Sequence, residues 1–443
     1  MAIYELTDVA LLQERGVRLL GFEIDHPKVG SNHDVYTLHL IGWTVGRDAR
    51  PVAVEVFNGD EFLRSVPVRG PREDVAAAVG VPPDTDCVFH VILSLLGTRL
   101  NATLSLRVSL DDGSSVPVGS VSVRRKPLRP DYEPRLEPIV VSTLGRSGST
   151  WLMQLLASHP EVVVFRRFPY ESTPAKYWLH LLRVAAEPVN IVQSGTPKNS
   201  HTNLWWIGNN PHHDDRVYEQ LPLESWFGRD HIERLAGFCQ RTIDDWYMSL
   251  ARTQVQPGAR FFAEKHVWPN YLPVLIRELY PHAKELFLVR DFRDMARSIS
   301  DFDTRRGFAG FDRPDGVSDA EYMRGSLHRM AQDLKRGWIE RSDRAHLVRY
   351  EDLVLRPNES VAGILEYLGV DASPTTLQHV IAKGSEQVLD LPGSGYELSE
   401  IQAHRTVADP KETIGRWRRD GDESFRELAQ EVFGDALSTF GYE

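Results

Sequence analysis

Cysteine is scarce in this sequence of 443 residues, which contains only Cys87 and Cys239. Because the two lie far apart in unlike surroundings, we expect no disulfide framework, and a reducing compartment fits the chain better. No run approaches the roughly 18 uninterrupted apolar residues of a membrane helix. Residues 1–16 also lack the basic and then apolar pattern of a signal peptide. The sequence therefore predicts a cytoplasmic protein with no transmembrane segment.

A basic excess is missing as well, since the formal net charge is −11. Proteins that bind nucleic acids or membrane surfaces normally carry an excess of lysine and arginine, so we expect no nucleic-acid partner. The overall charge does not exclude a local basic pocket. With 42% apolar residues the chain can build real cores, and its length predicts two domains. The composition leaves open whether the chain forms a homo-oligomer.

Residues 1–125 show the two-residue alternation of β-strands. Leu104–Leu110 and Val116–Val123 alternate in this way. Turn signals such as Asn58 followed by Gly59 separate four further candidate strands, namely Val17–Ile24, Val35–Trp43, Val52–Phe57 and Val88–Leu93. Several short strands at this spacing predict an all-β sandwich, which we expect to be an accessory domain.

The pattern changes across residues 126–137. Four prolines between residues 124 and 138 disfavour helix and interior strand alike, so this stretch is predicted to be a semi-rigid linker. Beyond it, short apolar runs alternate with helical patterns; these runs are Ile139–Thr143, Val162–Phe165, Phe261–Lys265, Glu285–Val289 and Ala345–Tyr350. Such alternation predicts βαβ units. We therefore expect residues 138–443 to form an α/β domain, a P-loop-type three-layer parallel sheet flanked by helices, with a helical insertion at about residues 185–255.

A loop of small residues follows the first of these strands. The strand Ile139–Thr143 leads into Leu144–Trp151 and then into the apolar helix Leu152–Ala157. A strand, a small-residue loop and a helix N-terminus together make an anion site, because unpaired amides and the helix dipole point at the bound oxygens. Gly145 and Gly148 allow close approach of the backbone. An ordinary tight turn is the alternative.

The loop is not a Walker A motif, because it lacks the G-x-x-x-x-G-K-[ST] pattern. No lysine or aspartate is placed to manage Mg²⁺ with a triphosphate. The missing Walker lysine counts against a P-loop-type nucleotide kinase.

A second candidate phosphate site follows the strand Glu285–Val289. Arg290 comes directly after that strand, where open α/β sheets place their ligands. Ser298 lies eight residues further on. This spacing can bring a guanidinium and a hydroxyl onto one phosphate. A solvated, charged helix start is the alternative interpretation.

Taken together, the two segments resemble those of a known family. GRSGSTW resembles the loop that binds the 5′-phosphosulfate in sulfotransferases that use 3′-phosphoadenosine 5′-phosphosulfate (PAPS), and VRDFRDMARSI resembles their 3′-phosphate motif. Further similar segments follow in the expected order between residue 138 and about residue 420: Glu264 with Lys265 and Pro269, Arg349–Leu353 with Pro357 and the helix Val361–Gly369, His404–Thr406, and Ile414–Trp417.

The resemblance implies PAPS as the donor, 3′,5′-adenosine bisphosphate (PAP) as the product, and no metal. By position, the residues that hold the 5′-phosphosulfate are Arg146, Ser147, Gly148, Ser149 and Thr150, and those that hold the 3′-phosphate are Arg290 and Ser298. Trp151 stacks near adenine or is simply part of the core. Gly415, Arg416 and Trp417 lie in the segment that closes over the nucleotide. Their individual contacts stay open because the R-K-G triplet of the cytosolic branch is absent.

The catalytic residues are harder to assign. Arg146 and Lys265 are candidates for steadying the leaving phosphate, although a plain salt bridge of Lys265 to Glu264 or another carboxylate is the alternative. Two general bases are candidates, and each is out of register with the family pattern. Glu171 lies later after the His159-Pro160 pair than expected, and His266 follows Lys265 directly, so in an extended segment it faces the other way.

Three other features are weaker. His212–Asp215 is more simply an exposed loop than a metal site. The aromatic residues of the insertion, Trp205, Trp206, Trp226, Trp246 and Tyr247, either line an acceptor cleft or form the core of a helical subdomain. The stretch Arg305–Pro314 is rich in glycine and polar residues and is a candidate flap near the acceptor.

The sequence thus predicts a PAPS-dependent sulfotransferase that acts on a hydroxyl of an acceptor, either a small molecule or a glycan. We expect a carbohydrate or glycoconjugate, because the glutamate base candidate and Arg146 are closer to the carbohydrate branch. Two alternatives stay open. One is a P-loop-type nucleotide kinase, and the other is a glycan-binding protein whose sulfotransferase domain has no turnover.

Overall fold

The computed structural model describes residues 2–12, 17–59, 61–167, 169–186, 230–266, 271–314, 316–385 and 409–442. The described residues divide into two compact units. The first contains those within Met1–Glu133, Trp178–Arg241 and Tyr271–Leu279. The second contains those within Pro134–Tyr177, Thr242–Asn270 and Tyr280–Glu443.

The first unit is built on two antiparallel sheets. Its strands are β1 (Tyr4–Leu11), β2 (Leu19–His26), β3 (Asn32–His33), β4 (Thr37–Gly46), β5 (Pro51–Asn58), β6 (Glu61–Pro67), β7 (Val88–Ser94), β8 (Asn101–Leu110) and β9 (Ser115–Arg125), with the short helix α1 (Glu73–Val79) between β6 and β7. One sheet has the order β3-β1-β9-β8-β5-β6 and the other has the order β2-β4-β7. One hydrophobic core takes residues from both sheets, so the arrangement is a β-sandwich, as predicted.

The two-residue alternation places this core. In β8, Leu104, Leu106 and Val108 are buried, and the residues between them are exposed or half-buried. One face of the strand therefore supplies the core and the other faces outwards. All six strands expected from the sequence are present, whereas the strands β1, β3 and β6 and the helix α1 were not predicted.

The proline-rich stretch after β9 has no regular secondary structure up to Leu136. It is nevertheless well packed at its start, since Leu128 is buried. The Leu128 amide donates to Glu278 at 2.6 Å, and Glu278 also pairs with Arg125 at 2.6 Å. The first residues of the stretch are thus fastened within the first unit.

The second unit contains a five-stranded parallel sheet with the order β11-β12-β10-β13-β14. Its strands are β10 (Glu137–Thr143), β11 (Val162–Val163), β12 (Phe261–His266), β13 (Lys284–Val289) and β14 (Ala345–Arg349). Because β12, β10 and β13 are neighbours, the segments that follow them meet at one edge of the sheet. Every strand predicted for this sheet is present.

Both faces of the sheet are covered. In β13, Leu286 and Leu288 pack into one core with helix α2, whereas Phe287 and Val289 pack into a different core with helix α6. A sheet buried on both faces by helices is a three-layer α/β structure, which confirms the predicted fold class.

The α-helices among the described residues after β9 are α2 (Ser149–Ala157), α3 (Pro174–Ala185), α4 (His231–Thr253), α5 (Tyr271–Leu279), α6 (Phe292–Arg306), α7 (Asp319–Tyr322), α8 (His328–Arg341), α9 (Tyr350–Leu355), α10 (Pro357–Leu368), α11 (Pro374–Ser385), α12 (Arg416–Arg419) and α13 (Glu423–Thr439). A π-helical turn, Met323–Leu327, joins α7 to α8. None of the helices in the described ranges is both long and apolar enough to cross a membrane.

Candidate functional site

The loop between β10 and α2 has a backbone conformation that glycine makes possible. Gly148 precedes the first turn of α2 with φ at 84°, in the left-handed region. A Cβ at this position would lie 2.4 Å from Cδ2 of Tyr350, and a Cβ at Gly145 would lie 2.3 Å from Cδ1 of Phe311. Aromatic rings therefore pack directly against the loop at two points, as only glycine allows.

Arg146 lies in this loop with a φ of 65°, which is unusual for a residue with a side chain. Its Nε donates to the Ser298 hydroxyl at 3.2 Å, and its guanidinium lies 4.7 Å from the ring centroid of Phe302. Burial, reinforced by the positive charge of Arg290, lowers the pKa of Arg146 to about 10. The side chain is therefore still a cation at neutral pH.

Arg290 follows β13 and is buried. Its two terminal nitrogens donate to the main-chain oxygens of Arg146, at 2.9 Å, and Thr413, at 3.0 Å. Its guanidinium lies 4.8 Å from the ring centroid of Tyr350. The Nε of Arg290 has no hydrogen-bond partner among the described residues. The structure thus brings Arg146, Arg290 and Ser298 together from two strand ends and one helix.

The other loop residues proposed from the sequence lie at the start of α2. Ser147 is buried with its hydroxyl 3.8 Å from Met295 Sδ, Ser149 is buried, and Thr150 is half-buried. Trp151 is half-buried and packs against the hydrophobic core beside α2. Its described contacts are those of a core residue, and stacking on adenine stays a prediction.

The terminal segment is joined to the first turn of α6. Asp294, which is buried, accepts from the Gly415 amide at 2.6 Å and from the Trp417 amide at 2.9 Å. Burial raises the pKa of the Asp294 carboxyl, and these two amides oppose that shift. The guanidinium of Arg293 lies 3.7 Å from the ring centroid of Trp417. Asp294 therefore holds this segment close to Arg290.

Arg416 is engaged by carboxylates. It pairs with Asp301 of α6 at 2.6 Å and with Asp420 at 3.1 Å. The pair with Asp301 fastens the terminal segment a second time to α6, and the pair with Asp420 is local to that segment. A contact of Arg416 with the nucleotide stays a prediction.

Lys265 and Glu171 form an ion pair. The Lys265 Nζ donates to Glu171 Oε1 at 3.0 Å. The lysine side chain is buried and the glutamate side chain is 60% exposed. Burial lowers the pKa of Lys265, and Glu171 opposes that shift. Lys265 therefore does form a salt bridge with a carboxylate. That carboxylate belongs to Glu171, which is itself a candidate for the general base.

His266 points away from this pair. Its Nε2 lies 3.5 Å from Glu264 Oε2, and both side chains are buried. Neighbouring residues of a strand face opposite sides of the sheet, so His266 shares a face with Glu264 and not with Lys265. The structure therefore does not bring His266 together with Lys265 and Glu171.

The stretch Arg305–Pro314 continues α6 and then turns back over the loop. Phe311 is the ring that packs against Gly145, and its main-chain oxygen accepts from the Tyr322 hydroxyl at 2.6 Å. Phe311 and Asp312 both have positive φ, at 54° and 59°. Phe308 is 63% exposed. The stretch is thus anchored at Phe311 to the loop between β10 and α2.

Several sequence features lie outside the described residues: His212–Asp215, Trp205, Trp206, Trp226, Pro269 and His404–Thr406. Two aromatic residues of the insertion do lie within the described residues: Tyr247 is buried and Trp246 is 46% exposed. Within the described ranges, no group of three or more histidines, cysteines and acidic residues is arranged to hold a metal ion. Cys87 and Cys239 are buried free thiols.

Sequence reasoning gave no role to Asp294, Thr413 or Phe302, and it named Phe311 only as part of the candidate flap Arg305–Pro314. Asp294 lies inside the VRDFRDMARSI motif, so the motif itself carried a signal for it. The contact of Thr413 with Arg290 and that of Phe311 with Gly145 each join residues more than 100 positions apart. No local pattern predicts such contacts.

Comparison with known proteins identifies the family of the chain. Residues 138–374 match the sulfotransferase family. Because this match covers more than half of the chain, the chain belongs to the sulfotransferase family.

Two relatives carry more particular names. The chain is 32% identical over 320 residues to the "Protein-tyrosine sulfotransferase" of Drosophila melanogaster, covering 70% of this chain and 53% of that protein. It is also 32% identical over 146 residues to "Protein-tyrosine sulfotransferase 2" of Gallus gallus, covering 32% of this chain and 36% of that protein. The chain thus spans about half or less of the length of these relatives.

Among solved structures, the chain is similar to the sulfotransferase domain of the Synechococcus PCC 7002 olefin synthase. The identity is 19% and the TM-score is 0.37, over 69% of this chain and 98% of that domain.

Proposed function

We propose that this protein is a sulfotransferase that moves the sulfuryl group of PAPS to an acceptor hydroxyl. The observation that carries the proposal is the convergence of two guanidiniums, that of buried Arg290 and that of half-buried Arg146, beside the N-terminus of α2. Two cations withdrawn from water next to a helix N-terminus call for a ligand with several negative charges. PAPS carries such charges at both its 5′ and 3′ positions.

The donor fits the residues present. Arg290 gives two of its donors to main-chain oxygens, and its buried Nε has no partner among the described residues. Arg290 and Ser298 bind the 3′-phosphate, while the loop from Arg146 to Thr150 binds the 5′-phosphosulfate. Gly415, Arg416 and Trp417 close over the nucleotide from the terminal segment.

The transfer is an in-line displacement at sulfur. Glu171 takes the proton from the acceptor hydroxyl, the acceptor oxygen forms a bond to sulfur, and the bond from sulfur to the 5′-phosphate oxygen breaks. Arg146 and Lys265 neutralise the charge that develops on the leaving phosphate, so PAP departs as product. We prefer Glu171 to His266 as the base, because its ion pair with Lys265 orients it and its exposed side chain is open to an acceptor.

The acceptor has two candidates. We retain a carbohydrate or glycoconjugate hydroxyl, as the glutamate-type base suggests. The second candidate is a tyrosine hydroxyl of a protein, and the observation that favours it is the name of the two relatives at 32% identity. A phenol ionises near pH 10 and so demands less of a base than a sugar hydroxyl. The cytoplasmic location also stays a prediction.

Calorimetric titration with PAP in the presence of a chelator tests the donor site, with ATP and Mg²⁺ as the comparison. We expect binding of PAP without metal. The Arg290→Ala variant should lose roughly 10- to 100-fold in affinity, the range for a hydrogen bond to a charged group. Arg349→Ala is the matched control, because Arg349 also ends a strand and donates to two main-chain oxygens, those of Phe440 and Gly441.

Preference for ATP with Mg²⁺ would instead support a nucleotide kinase. If PAP binds, PAPS is then supplied with a tyrosine peptide or with a panel of sugars, and sulfated products are detected by mass spectrometry. The product identifies the acceptor class. Binding of PAP with no turnover on any acceptor would favour the glycan-binding alternative.

A further inference from the structure

Glu264 is a buried carboxylate to which the proposed chemistry gives no part. It is 3% exposed and directly precedes Lys265 in β12. Burial of a carboxylate is costly unless hydrogen bonds satisfy it. The groups that satisfy Glu264 therefore indicate its role.

Those groups belong mainly to the first turn of α3. Glu264 Oε1 accepts from the Ala175 amide at 2.7 Å and from the Tyr247 hydroxyl at 2.6 Å. Glu264 Oε2 accepts from the Lys176 amide at 3.1 Å. Helix α3 begins at Pro174, and the first amides of a helix have no partner within it. A negative charge is also favourable at this end of the helix dipole. Glu264 thus caps α3 from a neighbouring strand.

Burial, together with the charge of Glu264, raises the pKa of Tyr247 well above its usual value. The Tyr247 hydroxyl therefore keeps its proton and its role as a donor. His266 completes the surroundings of Glu264, with its Nε2 at 3.5 Å. Glu264 and His266 therefore interact on the face of β12 opposite Lys265.

The cap bears directly on the ion pair at the site. Glu171 lies three residues before Pro174, so only a short connection separates it from the start of α3. Lys265, which pairs with Glu171 at 3.0 Å, is the next residue after Glu264. Glu264 therefore holds the start of α3, and the next residue of β12, Lys265, holds Glu171 at the other end of the short connection.

We propose that Glu264 is a positioning residue, which fixes the N-terminus of α3 and thereby places Glu171 beside Lys265. This inference rests on the proposed function for the role of Glu171 as a base. The placement itself is a property of the fold and is measured separately.

The test variant is Glu264→Gln, which keeps the shape but turns one acceptor oxygen into a donor that faces other donors. We expect kcat with saturating PAPS to fall on the order of 10- to 100-fold, the effect of a misplaced catalytic group. We expect the affinity for PAP to stay unchanged, because no contact of Glu264 reaches Arg146 or Arg290.

The second readout needs no turnover. Burial lowers the pKa of Lys265, and Glu171 opposes that shift. If Glu171 moves away, the opposing effect is lost, so the pKa of Lys265 falls further and its amine becomes reactive at a lower pH. Lys176 interacts electrostatically with both Glu264 and Glu171. Amine labelling across pH, resolved by peptide mass spectrometry, follows Lys265 and Lys176 separately.

Glu285→Gln is the matched control, because Glu285 is a buried carboxylate of the same sheet whose partners are Ser142, at 2.6 Å, and Arg341, at 3.1 Å. It should leave the labelling profile of Lys265 unchanged. Tyr247→Phe removes one donor to Glu264 and should shift that profile in the same direction by a smaller amount. It also provides the test if Glu264→Gln does not fold.

An unchanged Lys265 profile in both variants, or equal losses of kcat and PAP affinity, would overturn the proposal. If the wild-type protein shows no sulfuryl transfer, the proposed function fails. The labelling profile then still decides whether Glu264 places Glu171.

Discussion

The two halves of the candidate site are built differently. The proposed donor half, around Arg146, Arg290 and Ser298, is held by main-chain oxygens and aromatic rings, and Arg290 and Ser298 in it are buried. The acceptor half is one ion pair between Lys265 and Glu171, in which the glutamate is 60% exposed. The donor half therefore depends on how the backbone folds, and the acceptor half depends on where one short connection lies.

The difference has a consequence for activity. A change in the donor half alters both the packing of the loop and the charge that meets the nucleotide, so it should appear as lost affinity. A change in the acceptor half leaves the loop intact and should appear as lost turnover.

The largest effect is expected for Glu171→Gln. Because this change removes the proposed base and keeps its size, kcat should fall by about 10²- to 10⁴-fold, the usual contribution of a general base. Affinity for PAP should stay the same. Steady-state rates with PAPS, combined with calorimetry, measure both quantities.

Glu161→Gln is the control for that variant, since Glu161 forms its ion pair with Arg260 at 2.8 Å. It should keep kcat close to wild type. A full rate in Glu171→Gln would remove Glu171 from the mechanism and return attention to His266.

A smaller effect is expected from Gly148→Ala, compared with Gly307→Ala. Both glycines have positive φ, at 84° and 79°, but a Cβ meets Tyr350 at 2.4 Å only at Gly148, while the space at Gly307 is open. Each variant should lose about 1–2 kcal/mol of unfolding free energy from the backbone, and Gly148→Ala should lose about 1–3 kcal/mol more from overpacking.

Denaturant unfolding measures these losses, and PAP titration should show weaker binding for Gly148→Ala alone. Equal behaviour of the two variants would mean that the contact between Gly148 and Tyr350 does not shape the donor half.

The smallest effect is expected for Asp301→Asn, which removes the partner of Arg416 on α6. Asp301 is 36% exposed, so the pair should contribute only about 0.2–1 kcal/mol. PAP affinity should therefore change less than about fivefold. Asp319→Asn, which breaks an exposed pair with Arg313, is the control. A much larger loss of affinity would show that Arg416 meets the nucleotide itself.

Much of the fold could be predicted from local pattern. Every strand of the parallel sheet was expected within a few residues, because buried strands bounded by helices give short apolar runs. The six strands of the sandwich could be predicted because apolar and polar residues alternate along strands that are buried on one face. Strand β1 was missed because the charged residues Glu5 and Asp8 interrupt the apolar residues within it.

The parts of the candidate site that lie within a single short segment of sequence could be predicted. The loop before α2 and the strand end at Arg290 each lie within ten residues of sequence, so composition and spacing indicated them. The base was harder, since Glu171 and Lys265 lie 94 positions apart and meet only through the fold.

The sequence by itself determined the element types, the glycines that let the phosphate loop form, and the two arginine-bearing segments. These depend on periodicity and on backbone conformations that few residues adopt. Tertiary structure alone decided that Lys265 pairs with Glu171, that His266 faces Glu264, and that Asp294 holds the terminal segment. Such contacts depend on which distant segments pack together, and packing is set by the whole chain and not by any local pattern.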